Sequence, residues 1–191
     1  FTLMSGTGFD AELMRAAVPN KKAMGQAAYL MAAVGNPNPP LVTFTVEADG
    51  ETFVREGIAC IAANSAMLQG DLEIVPDSRL DDGLLDIIVL ESPDAVGLLK
   101  PLFLGLIDRH GANLGRPSIE RFRAREATIS SSRPIPMQID GDPLDHEVSS
   151  FTARILPERC RLVVDALSPY AVESGEAPLF PGTEVKAFPT D

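Results

Sequence analysis

The stretch LVTFTVEADGETFVREG, residues 41–57, constrains the fold more than any other part of the chain. Val42, Phe44 and Val46 alternate with Thr43, Thr45 and Glu47. A period of two sends one set of side chains to one face of a strand and the other set to the opposite face. Asp49-Gly50 follows directly. A two-residue hairpin turn needs positive φ at its centre, which Gly adopts freely and Asp tolerates, so the segment predicts a β-hairpin with one buried face. GIACIAAN, 57–64, lacks that alternation and reads as a strand buried on both sides. DLEIVP, LLDIIVL, IERFRAREATIS, PMQIDGD, SFTARIL and CRLVVDA supply further short strands.

Helices are fewer. In SGTGFDAELMRAAV, Asp10 suits an N-cap, and Leu13, Met14, Ala17 and Val18 form an apolar stripe. A second helix is expected over Lys21–Val34, closed by Gly35 and the loop NPNPP. SPDAVGLLKPLFLGLIDRHG reads as a third, kinked or split at Pro101. Its Leu, Phe and Ile side chains either pack on a sheet or form a lipid groove. Strands outnumber helices and most connections are short. The fold class is therefore α+β, mainly β: an antiparallel β-sandwich-like lobe with a few packed helices. The last stretch, SPYAVESGEAPLFPGTEVKAFPTD, is rich in Pro, Gly and acid and is expected to be an extended tail or docking arm.

A length of 191 residues suits one domain with a sizeable core. The formal net charge of −11 argues against nucleic acid as a partner, because phosphate binding rests on clustered Lys and Arg. Cys60 and Cys160 read as two reduced thiols rather than a disulfide framework. His110 and His146 lack metal-ligand spacing. No apolar stretch is long enough to span a bilayer. The opening at Phe1 rather than Met reads as a fragment or processed product.

Two acidic stretches can carry chemistry. In RLDDGLLDIIVL, Asp81 and Asp82 precede Gly83 in a turn, and Asp86 enters an apolar strand. Such a turn is either a solvated acidic bend or a place where a carboxylate and backbone carbonyls converge on a hard cation such as Mg²⁺. In RPIPMQIDGDPLDHE, Asp140 and Asp142 flank Gly141 at a strand end. Close carboxylates raise one pKa, which is one route to a base; the alternative is an exposed Asp-Gly hairpin. Gly6 and Gly8 of SGTG could present N–H groups to a phosphate, or simply turn the chain before the helix. Asn64 is either a cleft amide or a strand-end residue.

SGTGFDAEL, KKAMGQAAYL, GIACIAAN, DLEIVPDSRLDDGLLDIIVL and PMQIDGD occur here in one order. That ordered set resembles the C-terminal domain of diacylglycerol kinase catalytic-domain proteins, the soluble bacterial lipid kinases related to sphingosine and ceramide kinases. The resemblance runs over about residues 4 to 165, and its strongest part is P-x-x-x-x-DDG-x-LD at 76–86. It implies a C-terminal lobe over 1–166, of NAD kinase/diacylglycerol kinase-like fold, with the tail at 167–191. An N-terminal lobe would bind ATP through a Gly-Gly-Asp-Gly motif, which is absent from this chain. Catalysis is therefore expected to need that missing lobe.

The resemblance also implies site residues. Mg²⁺ would be held by Asp82 and by backbone oxygens of Arg79 and Leu84, with Asp81 near a metal-bound water network. Asp140 becomes the candidate general base, and Asp142 stands where the family has Glu. Gly6, Gly8 and Asn64 would line the cleft. The implied activity is ATP-dependent phosphorylation of a hydroxyl on diacylglycerol or a similar lipid. The implied location is cytoplasmic, peripheral to the membrane, with a lipid substrate, a transient membrane surface and a possible homodimer as partners. The alternatives are a non-catalytic lipid- or partner-binding module and an NAD kinase-like lobe; the DDG and IDGD pairing fits the lipid kinases better.

Overall fold

The structure, a computed structural model, describes residues 1–17, 31, 34–68, 72–75, 78–91, 94, 119–157 and 159–160. Phe1–Arg159 form one compact unit and Cys160–Asp191 a second. Every element named here belongs to the first. In chain order these are β1 (Met4–Gly8), α1 (Phe9–Ala17), β2 (Val42–Ala48), β3 (Glu51–Gly57), β4 (Ala59–Ala63), β5 (Met67–Leu68) and β6 (Leu72–Glu73). They continue with β7 (Leu85–Leu90), β8 (Ile119–Ala124), β9 (Glu126–Ile135), β10 (Met137–Ile139), β11 (Asp142–Pro143) and β12 (Val148–Arg154).

The expected hairpin is present. β2 and β3 pair antiparallel from Val42↔Gly57 to Ala48↔Glu51. The turn has positive φ at both centres, 47° at Asp49 and 91° at Gly50. Val42, Phe44, Val46 and Ala48 are buried while the residues between them reach solvent. The Asp49 carboxylate also accepts the backbone N–H groups of Arg125 and Glu126, which hold it below the usual carboxylate range and tie the hairpin to the start of β9.

β2 and β3 belong to a four-stranded sheet, β12-β9-β2-β3, and the larger sheet runs β11-β10-β1-β4-β7-β8. All the pairings within them are antiparallel. The two sheets pack face to face. Phe44, Val46 and Ile129 from one meet Cys60, Ala62, Ile87 and Val89 from the other. Phe122 stacks on Phe53 with ring centroids 4.2 Å apart, bridging the sheets at the rim. This is the expected sandwich. IERFRAREATIS is two strands that change sheets at Arg125, with β8 in the larger sheet and β9 in the smaller.

β4 is buried throughout, as its composition indicated. Its odd-numbered neighbours explain why: Ile61 and Ala63 join Met4, Ala66, Ile74, Val75 and Ile88 in a second apolar cluster on the far face of the larger sheet. Cys60 lies at the centre of the sandwich, where burial pushes its thiol up to about 12. It is an inert core residue.

α1 begins at Phe9, two residues before the first helical position that an N-cap at Asp10 implies. Asp10 is instead inside the first turn and buried. Of the second expected helix, the described positions Met31, Val34 and Gly35 are helical. The third helix and the CRLVVDA strand lie outside the described residues. Among the described residues of DLEIVP, Leu72 and Glu73 form the two-residue β6, paired with β5.

Candidate functional site

Register in the larger sheet decides which residues share a face. Gly6 pairs with Gln138 and with Ile61, and Ile61 pairs with Ile88, which pairs with Arg121. One step along, Met4 pairs with Ala63, Ala63 with Asp86, and Asp86 with Arg123. Side chains directly opposite each other share a face. Gln138, Asp86, Arg121 and Arg123 therefore all project from the face turned away from the sandwich core.

The same register gathers the ends. Asp140 follows Ile139, Asn64 follows Ala63, and the DDG turn precedes Leu85. The DGD turn, Asn64 and the DDG turn thus lie at one end of one sheet. From β10 to β7 is three strand intervals, or roughly 14 Å at the usual spacing of about 4.8 Å.

At the DGD turn, φ is 49° at Asp140 and 92° at Gly141, so this is a second hairpin turn of the type at Asp49-Gly50. The Asp140 carboxylate faces the start of the chain. Oδ2 accepts the Thr2 N–H at 2.7 Å and its hydroxyl at 3.2 Å; Oδ1 accepts the N–H groups of Leu3 at 2.9 Å and Met4 at 3.0 Å. Partial burial pushes this carboxyl up, but the three N–H groups and the hydroxyl together outweigh it and hold it below the usual range. From the other side, the Asn64 amide donates to the Thr2 carbonyl, and the Asn64 and Ser65 N–H groups donate to the Leu3 carbonyl. Thr2–Met4 are clasped between Asp140 and Asn64. The Asp142 carboxylate, two residues on, is exposed. Next to it opens a cleft of about 380 Å³ lined by Arg15, Pro143, Leu144 and Asp145.

Gly6 and Gly8 answer to packing. A Cβ on Gly6 would lie 1.8 Å from Asp10 Oδ2. Gly8 has φ +72°, and a Cβ there would meet the Ile58 carbonyl at 2.5 Å. The N–H groups after the turn are already used: Gly8 donates to Pro136 O and Phe9 to Ile58 O, both at 2.9 Å. The room at Gly6 admits the Asp10 carboxylate, which burial pushes up to about 6 against the lowering effect of the Gln138 amide bond. Gln138 Nε2 donates to Asp10 Oδ2 at 2.8 Å, and Gln138 Oε1 accepts the Gly141 N–H at 2.7 Å. A buried acid on α1 is thus linked through one amide to the DGD turn. The sequence reading missed both Asp10 and Gln138 as members of this site.

At the DDG turn, Gly83 has φ +71°. The Asp82 Oδ1 accepts the Leu84 N–H at 2.9 Å, closing the turn on itself, and Oδ2 takes the Arg123 guanidinium. Asp86, with a side chain only 4% exposed, is held by Arg121 through Nε at 2.7 Å and Nη2 at 2.6 Å, with Arg123 Nε at 3.4 Å. Arg79 forms a two-point pair with Asp81 at 2.9 and 3.0 Å, which lowers that carboxyl. The carboxylates of this stretch hold arginines. The donor set expected for Mg²⁺, Asp82 with backbone oxygens of Arg79 and Leu84, does not fit a divalent ion as it stands. The one side-chain carboxylate of that set, Asp82, already has a guanidinium on one oxygen and an N–H on the other. No cluster of three or more His, Cys, Asp or Glu able to hold a metal occurs among the described residues.

The fold and this sheet end define a class: a two-sheet antiparallel lobe whose acidic turns line one end of the larger sheet. Residues 4–164 match the family described as "YegS C-terminal NAD kinase beta sandwich-like domain", and the chain belongs to that family. It is 34% identical over 138 residues to "Probable lipid kinase YegS-like" of Pseudomonas fluorescens (strain Pf-5), covering 70% of this chain and 44% of the relative. It is 30% identical over 152 residues to the protein of the same name in Stenotrophomonas maltophilia, covering 78% and 47%. It is also 27% identical over 101 residues to "Diacylglycerol kinase" of Staphylococcus carnosus, covering 53% and 32%. A crystal structure of a "putative diacylglycerol kinase" from Bacillus anthracis str. Sterne shares the fold, with TM-score 0.61 at 20% identity over 82% of this chain and 50% of that one. The chain spans about half the length, or less, of the relatives it matches. It is a lipid kinase-like C-terminal domain. No described helix is long and apolar enough to cross a membrane.

Proposed function

We propose that this chain is the C-terminal lobe of an ATP-dependent lipid kinase that phosphorylates a hydroxyl of diacylglycerol or a similar lipid. The observation that carries the reading is the family match over 4–164, and the gathering of its acidic turns at one sheet end supports it. Membership of a lipid kinase family implies ATP and a divalent metal, and we assign both to a nucleotide-binding lobe outside this stretch. Phosphoryl transfer is governed by positioning and charge, with a base beside the attacking hydroxyl. Of the two expected carboxylates, Asp142 suits that role better. Asp140 is already saturated with donors, which disfavours proton uptake, whereas Asp142 is exposed beside the cleft at Arg15 and Leu144.

The test joins this lobe to the ATP-binding lobe of a relative and follows transfer of labelled phosphate to diacylglycerol in mixed micelles. Transfer is expected, and Asp142→Asn should lower kcat by about 10²-fold or more with the fold intact. Absence of transfer to diacylglycerol and to related lipid alcohols would overturn the reading. Full activity of Asp142→Asn would reject that residue alone.

A further inference from the structure

The turn that carries Asp142 has little backbone pairing of its own. β11 is two residues long and forms the edge of its sheet, joined to β10 through Ile139↔Asp142 and Gln138↔Pro143. Gln138 adds a side-chain tie. It reaches forward three residues along its own hairpin, and its Oε1 accepts the Gly141 N–H at 2.7 Å. That N–H belongs to the middle peptide of the turn, so the bond fixes the plane of that peptide. Turning the peptide over would give the primed turn that favours glycine at its first centre, where Asp140 stands. The Asp49-Gly50 turn offers a comparison within the molecule. It has the same positive φ angles, yet among the described residues no side chain takes the Gly50 N–H.

The Gln138 amide can face only one way. Gly141 N–H is a donor, so the amide oxygen must lie opposite it and the NH₂ must point to Asp10. Nε2 donates to Asp10 Oδ2 at 2.8 Å. Gln138 is only 1% exposed, so without Asp10 its NH₂ would be left unmatched in the interior, at a cost in stability. Gly6 provides the room, since a Cβ there would lie 1.8 Å from the same Asp10 oxygen. Residues from β1, α1 and β10 thus converge on one peptide plane beside the exposed Asp142.

We propose that Gln138 is a positioning residue for Asp142: its amide, locked by Asp10, holds the Gly141 N–H and so sets the direction in which the turn presents the 142 carboxylate. The tie to the turn is scored on this chain alone, and only its use in catalysis rests on the kinase reading.

Hydrogen exchange by NMR tests the tie. Gln138→Met keeps the bulk and removes both bonds, and Gly141 N–H should exchange about tenfold faster while the β2–β3 amides do not change. Gln138→Glu sets two carboxyl groups face to face and should loosen the turn as well. Adding Asp10→Asn to it rebuilds the chain with its polarity reversed, the 10 amide donating to the 138 carboxylate, and should restore Gly141 protection. Unchanged exchange in Gln138→Met, or a folded double variant without recovery, overturns the proposal. If Gln138→Met fails to fold, the unaltered chain decides: scalar coupling across the hydrogen bond from Gly141 N to Gln138 Cδ supports the tie, and its absence where backbone bonds of the same sheet show such coupling refutes it. In the joined protein used to test the kinase reading, Gln138→Met should lower kcat about tenfold with KM unchanged, and the reversed pair should recover it. A loss of stability with kcat intact would overturn the positioning role. Absence of transfer by the unaltered joined protein would reject the kinase reading instead, with the tie still decided by exchange.

Discussion

Replacing Asp140 with Asn separates a structural clasp from a catalytic base. Asn tolerates positive φ at the first position of an Asx-Gly hairpin turn, so the backbone at 140–141 is retained. What changes is acceptor capacity. The carboxylate takes four donors, two on each oxygen. Asn keeps one acceptor oxygen and sets an NH₂ against the other pair. The less costly orientation points the NH₂ at Thr2, whose hydroxyl can rotate to accept and whose N–H can reach water. The bonds from Leu3 and Met4 survive but lose their charge assistance. Bonds to charged groups contribute about 1.5–3 kcal/mol and neutral ones about 0.5–1.5. With solvent screening at this exposed site, the net loss is about 1–2 kcal/mol. For a chain of this length that lowers Tm by roughly 2–8 °C. Differential scanning calorimetry measures the loss, and hydrogen exchange locates it: the amides of Thr2, Leu3 and Met4 should lose protection while β2 and β3 do not. The sign with pH follows from the lowered carboxyl. Its stabilisation is complete above the unfolded value of about 3.9 and fades as pH falls through the lower folded value, so variant and parent converge in acid. Unchanged protection at residues 2–4, or a Tm gap that persists at the acid end, would refute the clasp.

Asp10 gives the opposite pH dependence. Its folded value of about 6 exceeds the ordinary 3.8, so the folded chain binds the proton more tightly, and ionisation opposes folding by about 3 kcal/mol once pH passes 6. Asp10→Asn should remove this decline between pH 4 and 6, read by urea unfolding at several pH values; an unchanged slope would reject it. Asp86→Asn leaves Arg121 and Arg123 facing a neutral group and should destabilise by about 3 kcal/mol, seen as a lower urea midpoint at unchanged m-value. Gly8→Ala meets the Ile58 backbone carbonyl at a positive φ and should cost about 2 kcal/mol or more by the same measurement.

Much of the sandwich could be read along the chain because its signals are local. The 42–57 hairpin is announced by alternation and by Asp-Gly, and β4 by an unbroken apolar run. Partners across strands were harder to read. The carboxylates at 81, 82 and 86 were visible, but their arginines sit some 35–41 residues further on, apart from Arg79, and only the β7–β8 register joins them. The alternation of Arg121 and Arg123 opposite a buried Asp86 was the available clue. Asp10 was misread because a polar residue before an apolar stripe resembles a cap; its burial depends on the missing side chain at Gly6, a contact visible only in three dimensions. The change of sheet at Arg125 left no mark in an otherwise continuous strand-like run.

The position of β1 has a kinetic consequence. It lies between β4 and β10, and its hydroxyl bonds span 53 residues to Cys60 and 133 to Gln138. The β2–β3 ribbon closes over a two-residue loop and can zip within microseconds. The larger sheet must instead wait for distant segments to find each other, a slow search whose entropy is lost before any contact repays it. The sheet end that carries the acidic turns is therefore among the last parts of the molecule to assemble, after the hairpin that first gave the fold away.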